Sequence, residues 1–233
     1  KKTVVSVDTY VEGSHFINFK KPELVMKKII RSSISDLICK SVIPKYYFIA
    51  GTGDRKSFSP SNLKKIIKSL NQEQKKFDIC LGGGDTVFSK KLSFTITTIG
   101  FSKKIINRNN AKLNDDIYVT GNLGDSFIGL NILKKRIRVK NNLKKYFENK
   151  FYHPSLHLKF SKRLNMFANS TIDISDGLIT DLEKLINNQN LSYRLFLDKI
   201  PISHNLKNLI SSKNIKKESC VSNGDDYQIL FTA

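Results

Sequence analysis

The chain has 233 residues, enough for one large domain or two smaller ones with a buried core. It carries 40 basic against 20 acidic residues, a net charge of +20, yet 33 of the 40 are lysine and they recur as Lys-Lys pairs along most expected helices. Lys, Ile and Asn fill about a third of the chain, a compositional bias and not a basic stripe interleaved with aromatics, so no specific nucleic-acid partner is expected. Cys39, Cys80 and Cys220 are too few and too scattered for a disulfide framework or a zinc site. No apolar run approaches a membrane span, so a reducing, cytoplasmic setting without a membrane partner is expected. The text opens inside the apolar run 3–8 and stops inside another at 230–233, so both ends read as cut.

Residues 3–8 alternate as a strand that ends at Asp8, which makes this carboxylate a candidate ligand. His15 stands on the following loop, either as a contact for an anionic substrate or as a surface residue. Pro22 and Glu23 open a long amphipathic helix through Ile38. Asp36 lies near its C-terminal end, where the helix dipole disfavours negative charge unless a cation or water compensates. A strand is expected at 46–50, a helix at 59–75, and a short strand at 78–81 that runs into Gly82-Gly83-Gly84-Asp85-Thr86. Backbone this bare suits close approach of a phosphate, with Asp85 holding an accompanying metal. The spacing matches neither the Walker A pattern nor the dinucleotide fingerprint.

A strand at 94–101 precedes a polar stretch, and a boundary near Lys104 divides a first domain, 1–104, from a second, 105–233. Arg108 is one of only seven arginines, which suits a bidentate phosphate contact as well as an exposed linker. Further on come a strand at 116–119, a Gly-rich turn with Asp125 as a helix N-cap, and a break at His153-Pro154 before another helix. Strand, turn and helix recur at 172–182, where Ile172 and Ile174 alternate and Leu178, Leu182 and Leu185 fall at helical spacing. Ser175 and Asp176 are expected as N-caps. Carboxylates at a helix opening repel phosphate unless a divalent cation bridges the two, so this turn reads either as a magnesium-phosphate site or as a plain solvated cap. A strand at 193–197, a helix at 206–209 and the run 223–231 complete the chain. Fourteen of the 20 acids are Asp, and Asp54, Asp85, Asp125, Asp176 and Asp225 each adjoin a glycine, a pairing that suits hard cations and ordinary turns alike.

Six of these stretches, in this order, carry a resemblance: Ser6-Val7-Asp8-Thr9 with Val11-Glu12-Gly13-Ser14-His15-Phe16; Ser35-Asp36-Leu37; Gly83-Gly84-Asp85-Thr86; Tyr118-Val119-Thr120-Gly121 with Gly124-Asp125-Ser126; Ile172 to Leu178 with Asp181-Leu182; and Gly224-Asp225-Asp226-Tyr227. Together they resemble the thiamine-monophosphate kinase family, which shares a superfamily with aminoimidazole ribonucleotide synthetase and selenophosphate synthetase. The resemblance implies an α+β fold of α/β-sandwich type in two domains, with the N-terminal domains pairing in a homodimer. It implies ATP-dependent phosphorylation of thiamine monophosphate to thiamine diphosphate by direct transfer, assisted by several Mg2+ ions. Position by position, it makes Ser6, Asp8, Asp36, Asp85, Asp173 and Asp176 magnesium ligands, with Asp85 and Asp176 the principal catalytic pair acting through metal. Gly84, Asp85, Arg108 and Ser175 would contact ATP, while His15 and Asp225 would face the thiamine phosphate.

The chain departs from the family where Asp225 replaces a usual Glu, Val7 a common Thr, Lys40-Ser41-Val42 a Met-Gly-Ala run, and Leu156-His157 a Pro-Arg pair. The family's N-terminal Gly-Asp-Asp block and C-terminal aromatic do not occur in these residues. Another ATP-dependent enzyme of the superfamily, of the selenophosphate or aminoimidazole ribonucleotide synthetase type, would keep the metal-nucleotide carboxylates. A basic nucleic-acid-binding module would explain the charge but not the ordered Asp-Gly turns.

Overall fold

Alternation along the first strand decides how the N-terminal part is built. In β1 (Lys2–Val11) Ser6, Asp8 and Tyr10 turn to the covered side while Val5, Val7 and Thr9 stay exposed. The covering comes from α1 (Pro22–Ile38), whose Val25, Met26, Ile29, Ile30, Ile34, Leu37 and Ile38 are all but inaccessible. Burial of each such side chain stabilises the fold by about 1.5–3 kcal/mol relative to exposure. The computed structural model describes residues 1–213 and 215–233. It divides the chain into two compact units, Lys1–Ile38 with Val42–Lys103, and Cys39–Ser41 with Lys104–Ala233.

The first unit adds β2 (Ile43–Gly53), α2 (Pro60–Phe77), β3 (Cys80–Phe88) and β4 (Ser93–Ser102). Its sheet runs β1-β4-β2-β3, with β2 and β3 parallel and the other pairs antiparallel. α1 packs on β1, β2 and β4, and α2 packs on α1. Between the two helices a buried fork joins Arg31 Nε to Glu73 Oε2 at 2.7 Å and Arg31 Nη2 to Glu73 Oε1 at 3.0 Å.

Two expectations change here. β1 continues three residues past Asp8, so that carboxylate sits within the sheet and not at a strand end. The glycine triplet is no loop either, since β3 runs through it, with a register shift against β2 at Gly82. Its bareness serves strand packing: a Cβ on Gly84 would lie 2.1 Å from the carbonyl oxygen of Ile49 on β2.

The second unit contains β5 (Ile117–Val119), α3 (Asp125–Leu133), α4 (Asn141–Tyr152), α5 (Leu158–Leu164), β6 (Ser170–Asp173), α6 (Leu178–Ile186), α7 (His204–Lys213), α8 (Lys217–Val221) and β7 (Ile229–Thr232). Its sheet is antiparallel in the order β5-β7-β6. Leu178, Leu182 and Leu185 of α6 pack with Ile172 and Leu230 from that sheet, and a second cluster joins Ile128, Ile132, Phe147, Leu206 and Leu209. The strand expected at 193–197 does not form: 193–196 is irregular and Leu197–Lys199 closes as a 3-10 turn. The alternation read there is spent on packing, because Tyr193 and Leu195 lean on the α6 core.

Candidate functional site

The site in the second unit begins where β6 ends at Asp173, buried at the strand terminus. Residues 174–177 turn the chain into α6. Neither Ser175 nor Asp176 caps that helix, as the alternation and residue types had suggested. Gly177 takes the N-cap position with φ 124°, and the capping acceptor comes from inside the helix. Asp181, fully buried, folds back so that Oδ2 accepts the amides of Ser175 at 2.8 Å, Asp176 at 2.8 Å and Gly177 at 3.1 Å. Its Oδ1 accepts from Lys184 Nζ at 3.1 Å, and the same ammonium pairs with the Asp176 carboxylate. Partial burial pulls the Lys184 pKa down, but its bonds to Asp176 and Asp181 outweigh that and hold it above the ordinary lysine value.

A second segment is laced onto this turn. The Asp225 amide donates to Ser175 O at 2.9 Å, the Tyr227 amide to Ile174 O at 2.8 Å, and the Ile174 amide to Gln228 O at 2.8 Å. The approach is so close that a Cβ on Gly224 would lie 1.7 Å from Ser175 O, and one on Gly177 2.2 Å from Ser222 O. Asp225 and Tyr227 both adopt left-handed backbone, φ 69° and 51°, which costs about 1–3 kcal/mol each. The tertiary bonds hold them there. The Tyr227 hydroxyl donates to Asp225 Oδ1 at 3.1 Å.

Asp226 points the other way, into the protein, and accepts the Gly124 amide at 2.8 Å. Burial pushes its carboxyl up to about 8, opposed by the Gly124 amide and reinforced by Asp125. Asp226 therefore anchors the start of α3, the task expected of Asp125. Asp125 is the first helical residue and instead accepts from Ser203 Oγ at 2.6 Å and Tyr146 OH at 2.8 Å.

In the first unit Ser6 Oγ donates to Asp36 Oδ2 at 2.5 Å. Asp8 lies beside them with Oδ2 buried and unpartnered. Burial and then the Asp36 charge raise the Asp8 carboxyl to about 6, a Ser33 hydrogen bond opposing them. Asp36, expected to suffer from the helix dipole, thus finds a hydroxyl. Asp85 is not brought to this pair. The register puts Gly84 in the row Asp8–Ile96–Ile49–Gly84, three strands across, and strand alternation turns exposed Asp85 to the other face. Its Oδ1 accepts the Thr86 amide at 2.8 Å. His15 is exposed, with Nδ1 accepting the Val11 amide at 3.1 Å. In the second unit Arg108 lines a cavity of about 450 Å3 together with Lys104, Lys112 and Asn169.

Among the described residues no three His, Cys, Asp or Glu side chains converge closely enough to hold a metal ion by themselves. Acidic side chains come together in pairs: the Asp36 charge acts on Asp8, and Asp176 and Asp181 share the Lys184 ammonium. Asp181, which lies more than a turn into the helix by sequence, takes the structural role that this position suggests. Lys184, Asp226 and Tyr227 carry no such signal, and only the three-residue helical spacing from Asp181 flags Lys184.

Residues 1–102 match the AIR synthase related protein, N-terminal domain family. The thiamine-monophosphate kinase of Buchnera aphidicola subsp. Acyrthosiphon pisum is 37% identical over 234 residues, spanning 98% of this chain and 70% of that protein. The chain belongs to the thiamine-monophosphate kinase family. Its fold superimposes on the crystal structure of thiamine monophosphate kinase from Aquifex aeolicus with a TM-score of 0.93 at 26% identity, covering all of this chain and 80% of that one. AaThiL complexed with AMPPCP and TMP gives a TM-score of 0.92 at 26% identity, covering 99% and 74%. This mixed α/β fold is thus the one on which thiamine-monophosphate kinases are built.

Proposed function

We propose that this family member transfers the γ-phosphoryl group of ATP to thiamine monophosphate, giving thiamine diphosphate. The observation that carries the reading is the lacing of residues 174–177 to residues 224–228, which holds Ser175, the ATP contact of the family motif, and Asp176, its magnesium ligand, beside Asp225, the substrate-side acid. The relative solved with AMPPCP and TMP supports the choice of donor and acceptor.

Both units offer donor sets that fit Mg2+. Asp8 has a buried carboxylate oxygen without a partner beside Asp36 and Ser6, and Asp176 already carries a cation in the form of Lys184. Ser6, Asp8 and Asp36 would hold an ion in the first unit, and Asp173 and Asp176 in the second. Asp85, on the other face of the sheet from Asp8, would serve a separate ion. When bound, magnesium supplies neutralisation of the phosphates, the main requirement of an in-line transfer. The chain's own part is to bind and align. The Arg108 fork suits the ATP phosphates, the Ser175 hydroxyl and the Gly84 backbone would contact the nucleotide, and Asp225 with exposed His15 would face the thiamine phosphate. Asp225 is one methylene shorter than the family's Glu, and its hydrogen bond from Tyr227 fixes its direction. No covalent phospho-enzyme is required.

The first unit's sheet supports a homodimer. Its uncovered face presents Val5 at 55% exposure and Val7 at 60% with Tyr46 and Phe48, an apolar surface of the kind that a second copy covers. A cytoplasmic location accords with the free thiols of Cys39, Cys80 and Cys220. Thermal denaturation with ligands tests the whole reading. ATP should raise the midpoint only when Mg2+ is present, and thiamine monophosphate should add a further rise. Stabilisation by ATP that is indifferent to Mg2+ and to thiamine monophosphate would overturn it.

A further inference from the structure

We infer that Lys184 is a resident counter-cation for Asp176, occupying the carboxylate until a divalent ion displaces it, and so sets how tightly this turn binds metal. The inference rests on the reading of Asp176 as a magnesium ligand.

Three observations carry it. The Lys184 ammonium bridges Asp176 Oδ2 and Asp181 Oδ1. Asp181 is anchored, because it is fully buried and its other oxygen accepts three backbone amides of the same turn. The ammonium is thereby tethered at a fixed point beside a carboxylate that is itself 61% exposed. Asp176 is open to solvent on its outer side and, among the described residues, is paired with Lys184 on its inner side.

The energetics favour exchange. An exposed lysine-carboxylate pair contributes little, about 0–1 kcal/mol, because water screens it and the lysine stem loses rotamer freedom. A hard divalent cation binds carboxylate oxygen directly and carries twice the charge. Asp176 can therefore leave Lys184 without leaving the turn, since Asp181 keeps the backbone in place and retains the ammonium through Oδ1. Lys184 then acts as a positioning residue: it holds Asp176 in a metal-ready direction when no ion is bound and lowers affinity by the strength of the pair it gives up.

The test is equilibrium binding of Mn2+ alone, read by the electron paramagnetic resonance signal of free Mn2+, on wild type, K184Q, K184R, D176N and the K184Q/D176N double variant, with circular dichroism as the check on folding. K184Q should bind Mn2+ about two- to five-fold more tightly, the size set by removal of one exposed ion pair. K184R, which keeps the charge, should stay near wild type, and D176N should abolish the gain in the double variant. Unchanged or weaker binding in K184Q, while D176N weakens it, would overturn the role of Lys184 and leave the metal assignment standing. Binding that D176N does not alter, or no Mn2+ bound by any variant, would overturn the assignment of Asp176 and the inference with it.

Discussion

The backbone amide of Asp225 donates to the carbonyl of Ser175 at 2.9 Å, and this bond ties together two segments that lie 50 residues apart in the chain. Its consequence is steric as well as polar. Gly224 has no room for a side chain, because a Cβ there would meet Ser175 O at 1.7 Å. G224A must therefore push the two segments apart. It should lower stability by more than about 2 kcal/mol, in the range of substitutions that strain packed backbone, and cut turnover more than about tenfold by misplacing Asp225. Urea denaturation and the rate of thiamine diphosphate formation measure the two effects. A variant with wild-type values in both would show that the lacing is dispensable.

Asp181 holds the other side of the same turn. D181A would leave the amides of Ser175, Asp176 and Gly177 without their common acceptor, and should destabilise the protein by about 2–4 kcal/mol. D181N keeps an oxygen and should fall between the two. Amide hydrogen exchange at residues 175–177 provides a local measurement, with faster exchange expected in D181A and an unchanged rate counting against this role.

Asp226 gives stability a pH dependence of definite sign. Its carboxyl is pushed up to about 8 in the fold, against about 3.9 for an unperturbed Asp. Between those values the folded chain holds a proton that the unfolded chain has released, so this contribution is present in full on the acid side and is lost as pH rises towards 8. Urea midpoints should fall from pH 5 to pH 8.5 in wild type. D226N, which cannot ionise and still offers an oxygen to the Gly124 amide, should flatten that slope, while an equal slope in both would exclude Asp226 as its source.

Asp8 shows stability set against function. Its buried, unpartnered oxygen beside Asp36 is unfavourable when no cation is bound. D8N removes one of the two like charges. Without Mg2+ it should melt about 2–4 °C higher, the shift expected for roughly 1 kcal/mol in a chain of this size, and it should lose the part of the Mg2+-dependent rise due to this pair. Calorimetric scans with and without Mg2+ decide it, and a lower midpoint in metal-free D8N would mean that Asp8 has a structural partner.

The exposed face of β1 makes a prediction about assembly. V5D and V7D together place two charges on the apolar sheet face without touching the helix-covered side. Light scattering after size exclusion should report a dimer for wild type and a monomer for the double variant. Retention of the dimer would move the interface elsewhere.

The helices were legible because their signals are local. α1 follows Pro22 and a run of apolar residues at helical spacing, and α6 follows Leu178, Leu182 and Leu185. Alternation likewise gave β1 and β4, though with ends misplaced by a few residues. The reading failed where a residue answers to a distant partner. Three glycines read as the end of a strand because nothing in their own sequence reveals the Ile49 carbonyl packed against Gly84, which keeps them within β3. Tyr193 and Leu195 alternate like a strand but pack on α6. At the site, residue types announced the acidic turns, whereas the division of labour showed only in part. The position of Asp181, more than a turn into α6, marks it as structural, whereas nothing local marks Asp226, which accepts the Gly124 amide from 102 positions earlier.

The central claim is phosphoryl transfer to a phosphate acceptor, and 31P nuclear magnetic resonance of the purified protein with ATP, Mg2+ and thiamine monophosphate tests it most directly. The account predicts that the thiamine monophosphate resonance is replaced by the two coupled resonances of thiamine diphosphate, with one ADP formed for each and no inorganic phosphate, and that D176N suppresses the conversion by orders of magnitude. ATP consumed with the thiamine monophosphate resonance unchanged would contradict it.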